Sequence, residues 1–126
     1  LHDYHIDYLH LEALGGRRNK NQSVSSHTND FWQNQSFQNY ADYALTTDFQ
    51  TGMNELIEKG RQQCCVLMCS EAVWWRCHRR IVADYLLARG EQVYHLMNAD
   101  QIKPATLTRG AVLQDDGIHY PAAKSQ

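Results

Sequence analysis

The chain has 126 residues, 43% of them hydrophobic and 21% charged, with 12 Lys+Arg against 14 Asp+Glu. That length suits one ordinary domain, which buries about two thirds of its unfolded surface. A net charge of −2 excludes a protein that holds nucleic acid over its whole surface, and the short apolar runs exclude a transmembrane helix.

His2, Asp3, His5 and Asp7 interrupt any early apolar core, so no signal peptide is expected. Leu1 is not an initiator Met, so a segment upstream of the numbering is expected. Ile6-Asp7-Tyr8-Leu9-His10-Leu11 alternates apolar and polar, which predicts a half-buried strand stopped by Gly15-Gly16. Arg17 to Asn29 is almost wholly polar and reads as a long loop, either mobile or a lid. Helical spacing of Phe37, Tyr40, Ala41 and Ala44 places a helix in the stretch from Phe31 to Tyr43. A second helix is predicted from Thr47. Thr47 and Gln50 fit a capping box, Phe49, Met53, Leu56 and Ile57 form its stripe, and Gly60 supplies a stop.

Cys64-Cys65-Val66-Leu67-Met68-Cys69 is a continuous apolar run too short for an independent helix, and it predicts a strand buried on both faces. A helix from about Cys77 to Arg89 follows, with Ile81, Val82, Tyr85 and Leu86 inward and Gly90 at its end. Val93-Tyr94-His95-Leu96-Met97 predicts the next strand, which completes a right-handed βαβ unit. Val112 and Leu113, an Asp116-Gly117 turn, then Ile118 and Tyr120 predict a hairpin. The expected fold is one α/β domain over 1–126: a small parallel, Rossmann-like sheet flanked by helices, with that hairpin at its C-terminal end.

All four cysteines, Cys64, Cys65, Cys69 and Cys77, fall within fourteen residues. Disulfide frameworks spread their cysteines to close long loops, and adjacent cysteines rarely bridge. The pattern predicts a reducing, cytoplasmic compartment, and thiol or metal chemistry. The densest segment runs Cys69-Ser70-Glu71-Ala72-Val73-Trp74-Trp75-Arg76-Cys77-His78-Arg79-Arg80. It starts where the buried strand is expected to end, the usual ligand position of an open α/β sheet. Arg17 and Arg18, after the earlier strand, open onto the same edge if the strands are parallel.

Arg76, His78, Arg79 and Arg80 crowd a predicted helix N-terminus, where the macrodipole disfavours each cation by about 0.3–1 kcal/mol. An anion is expected to complete the arrangement, either Glu71 or a bound carboxylate, phosphate or sulfate. Cys69 would face those cations, conditions that favour thiolate, or it fills the sheet's edge as free cysteines often do. His78 shares a face with Ile81, Val82 and Tyr85, so it points inward as a general base or a donor to a backbone carbonyl. Trp74 and Trp75 either stack nucleobases beside the arginines or pack on the neighbouring helix.

Two familiar chemistries fit poorly. Six residues separate Cys69 from Arg76, where phosphate-cradling cysteine loops place five, and Glu71 opposes a phosphate on the sulfur. Cys69, Cys77 and His78 lack a C-x-x-C partner, and positions 77 and 78 diverge by about 100° on a helix. No metal ligands are assigned, and no cofactor is named by these residues.

Cys69-Ser70-Glu71, five residues, then Cys77-His78-Arg79, an apolar helix and Gly90 closely resemble the signature of the domain of unknown function 488 family. Leu14-Gly15-Gly16-Arg17, Tyr40-Ala41-Asp42-Tyr43 and Tyr120-Pro121 resemble that family in the expected order. The resemblance implies a small cytoplasmic α/β domain with a parallel sheet, and no reaction. Family members usually begin with a strand ending in a Gly-His-Ser-like turn, then a helix and an Asp-Val-Arg strand. Nothing here matches those pieces, so the domain is expected to be N-terminally incomplete.

Two functions from different classes follow. The first is an enzyme using Cys69, Glu71, Cys77, His78 and Arg79 on a small anionic or nucleotide-like substrate, with Arg17, Arg18, Arg76 and Arg80 binding the anion. The second is a nucleic-acid-binding module built on Trp74, Trp75 and the adjacent arginines. A metal-binding or purely structural role is the remaining reading, and a membrane partner is not expected.

Overall fold

The computed structural model describes residues 9–15, 18, 28–32, 34–68, 78–98 and 101–122. A single 3-10 turn, Glu12–Leu14, precedes helix α1, Gln35–Tyr43. Asn34 caps α1 by accepting from the Ser36 backbone N–H at 2.8 Å, which starts the helix later than the aromatic spacing alone suggests. Phe31 and Trp32 lie ahead of it, and Trp32 stacks on Phe37 with ring centroids 5.0 Å apart.

Helix α2 is Thr47–Gln62. Its N-cap is Thr46, one residue before the predicted capping box, and the Thr46 hydroxyl accepts from the Phe49 N–H at 3.3 Å. Gly60 does not stop it. The helix continues two residues further, to Gln62, with Lys59 and Arg61 beside its negative pole. The apolar stripe lies inward as predicted, with Phe49, Met53, Leu56 and Ile57 buried. Gly52 lets the 3-10 turn sit directly on α2. A Cβ at that position would lie 2.9 Å from the Ala13 Cβ.

Helix α3, Arg79–Ala88, buries Ile81, Val82 and Tyr85. Gly90 ends it at φ +81°, with Gly90 N–H donating to Leu87 O at 3.0 Å and Glu91 N–H to Leu86 O at 3.1 Å. Arg89 ties α3 back to α2 through Gln50 Oε1 and Asn54 Oδ1, both at 2.8 Å.

The sheet differs from the expected one. Strand β1, Tyr94–Asn98, pairs antiparallel with β2, Gln101–Pro104, and β3, Val112–Gln114, pairs antiparallel with β4, Gly117–His119. The described residues are therefore mixed α/β with two small antiparallel sheets, and the parallel, Rossmann-like sheet is absent from them. Residues 64–68 belong to no helix or strand among the described residues, and Val66 and Met68 are 64% and 83% exposed. Only Leu67 packs against the core. A local partner displaces the distant one: β2 follows β1 within a few residues, so that pairing closes a much shorter loop than a crossover. The βαβ unit is not formed among the described residues. The argument that placed the site at a parallel sheet's carboxyl edge falls with it.

The C-terminal hairpin does form. Its turn is Asp115-Asp116, one residue earlier than predicted, and Gly117 opens β4 at φ +141°. Ile118 and Tyr120 are buried, and the Tyr85 hydroxyl accepts from Ile118 N–H at 2.9 Å. Tyr120 Oη donates to the buried Asp84 carboxylate at 2.8 Å, and Thr108 N–H donates to the same group at 2.8 Å. Asn29 closes the core from the other side. Its amide donates to Asp42 Oδ1 at 2.6 Å and its carbonyl oxygen accepts from Tyr120 N–H at 2.9 Å. The far end of the expected lid is thus fixed, while 19–27 and the predicted strand before Leu9 lie outside the described residues.

Candidate functional site

Two separate elements, the Arg18 loop and helix α3 with Arg79, bring positive charge to bear on His78. Arg18 is held by its own loop, donating through Nε to Gly15 O at 3.2 Å and through Nη2 to Glu12 O at 2.6 Å. Asn39 of α1 anchors the same residue by donating to Arg18 O at 3.1 Å. The guanidinium lies 3.8 Å from the centre of the Tyr43 ring, a cation–π contact. Tyr43 and Tyr40, one turn apart on α1, donate their hydroxyls to Ala13 O and Leu14 O at 2.5 and 2.8 Å. A rigid aromatic wall therefore stands between the Arg18 loop and α3.

His78 packs on the other side of that wall, its ring centroid 5.0 Å from that of Tyr40. It caps α3 with a helical backbone and no side-chain capping bond, so its carbonyl, rather than its ring, serves the helix. Burial lowers the His78 pKa first, and the Arg79 and Arg18 charges lower it further. The inward direction read from the sequence is present, and the imidazole is set up to be neutral near neutral pH.

Arg79, the first residue of α3, also acts on His95 of β1, whose pKa is lowered mainly by burial, then by Arg79, with Asp84 opposing. Strand alternation explains the placement. Val93 and His95 are half-buried while Tyr94 and Leu96 are exposed, so His95 faces the helices. The first turn of α3 contains no acidic residue.

Arg80 takes a different direction, 5.0 Å over the Trp32 ring on the side of Asp84 and Tyr120. Cys69, Glu71, Trp74, Trp75, Arg76, Cys77 and Arg17 lie outside the described residues. Cys64 and Cys65, expected to be buried in a strand, are free and exposed. Among the described residues no cluster of His, Cys, Asp or Glu is arranged to hold a metal ion, and no helix is long and apolar enough to cross a membrane.

His95, Tyr40 and Tyr43 were not singled out by residue chemistry. His95 carried a usable signal, since in a strand with Val93 inward it must share that face. The tyrosines carried one only through the resemblance of their stretch.

These features define a small mixed α/β protein with a cation-lined edge at the start of α3. The family described as Domain of unknown function DUF488 matches residues 1–86, and the chain belongs to that family. The matched region includes Arg18, both tyrosines and the Cys69–Arg80 segment, and leaves His95 and the C-terminal hairpin beyond it. Comparison with curated proteins and with solved structures returns no match.

Proposed function

We propose that this protein is an enzyme acting on a small anionic or nucleotide-like substrate, with Arg18 and Arg79 drawing in the anion and His78 serving as general base. One observation carries the reading: Arg18 lies 3.8 Å over the Tyr43 ring and the half-buried His78 ring lies 5.0 Å from that of Tyr40, one turn along the same helix, so a cation and an imidazole flank neighbouring tyrosines. Cys69 is the proposed nucleophile, and Glu71 and Cys77 are proposed as further catalytic residues. Free cysteines at 64 and 65 suit the reducing, cytoplasmic compartment expected from cysteine usage.

Arg80, a cation that both the enzyme and the nucleic-acid readings counted on, lies 5.0 Å over the Trp32 ring.

Alkylation of Cys69 by iodoacetamide across pH, read by mass spectrometry, tests the reading. The expected midpoint lies below the ordinary thiol value of about 8.5, and Arg79→Ala moves it upward. Because Cys64 and Cys65 are exposed, rate alone is uninformative and the midpoint is decisive. A Cys69 midpoint at the ordinary value, unmoved by Arg79→Ala, removes the thiolate from the proposal.

A further inference from the structure

The β1–β2 ribbon turns an apolar face to solvent. Its register sets Tyr94 opposite Pro104 and Leu96 opposite Ile102. Alternation puts those four side chains on one face and His95 with Lys103 on the other. Tyr94, Leu96 and Ile102 are 54%, 58% and 60% exposed. A two-stranded ribbon is marginal in water unless its apolar face is covered.

Val66 and Met68 enlarge the patch from the end of α2. Arg61 donates to Glu91 Oε1 through Nε at 3.2 Å and through Nη2 at 3.0 Å. The chain therefore leaves α2 and enters β1 from one corner. Val66 and Met68 follow that corner by a few residues, as Tyr94 and Leu96 do, and both are exposed.

Shape, charge and area decide what covers such a face. The four ribbon side chains carry no charge, so they select neither an acidic nor a basic partner. A pleated apolar face is matched by another one stacked at about 10 Å, as in sheet-on-sheet packing. Pairing through the ribbon's edge is opposed, because Pro104 has no N–H to give and Lys103 places a charge there. A second copy supplies the matching face by two-fold symmetry, and a net charge of −2 raises little repulsion between copies. The exposures leave about 350 Å² of apolar surface on the ribbon face, and about 600 Å² with Val66 and Met68. Two ribbon faces alone bury about 700 Å², no more than a crystal-packing contact, whereas two of the larger patches bury about 1,200 Å², the lower bound of a specific interface.

We infer that two copies of this chain associate face to face through the β1–β2 ribbon, with Val66 and Met68 at the margin, as a weak reversible dimer. The inference does not depend on the proposed catalytic residues.

Sedimentation velocity of the full chain from about 1 to 300 µM tests it. The sedimentation coefficient should rise with concentration from that of one chain to that of two. Leu96→Glu and Ile102→Glu, both at exposed positions, should each raise Kd by about tenfold or more, because the dimer then buries two carboxylates. Leu113→Glu, 56% exposed on the other hairpin, should leave Kd unchanged. Circular dichroism at the lowest concentration checks that each variant is folded. Should either Glu variant lose the fold, Ile102→Thr keeps the strand preference and should raise Kd by about threefold. A chain that stays monomeric across the range overturns the inference. So does a dimer indifferent to the changes at 96 and 102, or one that Leu113→Glu breaks as strongly, since either result puts the contact on another face.

Discussion

Replacing Phe49 by Ala is expected to cost about 3–5 kcal/mol, a large share of the 5–15 kcal/mol typical of a domain. Phe49 is fully buried and its ring touches Tyr40 and Tyr43 of α1 and Tyr85 of α3, with centroids at 5.8, 5.9 and 4.9 Å. It is thus the point where all three helices meet. Each edge-on contact adds about 0.5–1.5 kcal/mol to the area it buries. Urea unfolding should show a lower midpoint with an unchanged slope. A loss under about 1.5 kcal/mol would mean that the three-helix junction is not where stability resides.

Asp84→Ala should cost about 2–4 kcal/mol, because it strands two buried donors, Tyr120 Oη and Thr108 N–H. Burial raises the Asp84 pKa above its ordinary 3.8, although hydrogen bonds from Thr108 and Tyr120 and the Arg80 charge pull partly back. The folded protein therefore holds this proton more tightly than the unfolded chain. Its contribution to stability is greatest below about pH 4 and declines as pH rises to the folded-state value. Asp84→Asn is expected to stay within about 1 kcal/mol of the wild type, since Oδ1 still accepts from Thr108 and Nδ2 can donate to Tyr120 Oη. Comparing the two by urea unfolding isolates the residue. The wild type should gain on the Asn variant as pH falls from 7 toward 4. A difference that is constant, or that grows with pH, contradicts a raised Asp84.

What was legible in the sequence was what is locally encoded. The stripe of Phe49, Met53, Leu56 and Ile57 predicts α2 because helical periodicity needs no distant partner. Gly90 marks the end of α3 for the same reason, and a turn near Asp116-Gly117 marks the hairpin. Pairing was not legible. The apolar run 64–69 is compatible with a central parallel strand, but its ladder depends on segments elsewhere in the chain. Gln101-Ile102-Lys103-Pro104, the actual partner of β1, has a single strongly apolar residue, Ile102, too short a pattern to mark a strand, and its proline suits an edge strand. The inward His78 was legible from helix geometry. Arg18 on Tyr43, and His95 beside Arg79, are tertiary facts that no spacing encodes.

Histidine titration by NMR tests the convergence of Arg18 and Arg79 on His78 most directly, because it reads the electrostatics of the edge without any ligand. His78 should titrate below its ordinary 6.5, and both Arg79→Ala and Arg18→Ala should raise it. Arg79→Ala should raise His95 as well, whereas Arg18→Ala should leave His95 where it was. A His78 that titrates at 6.5 and ignores both substitutions would show that the cations do not meet there.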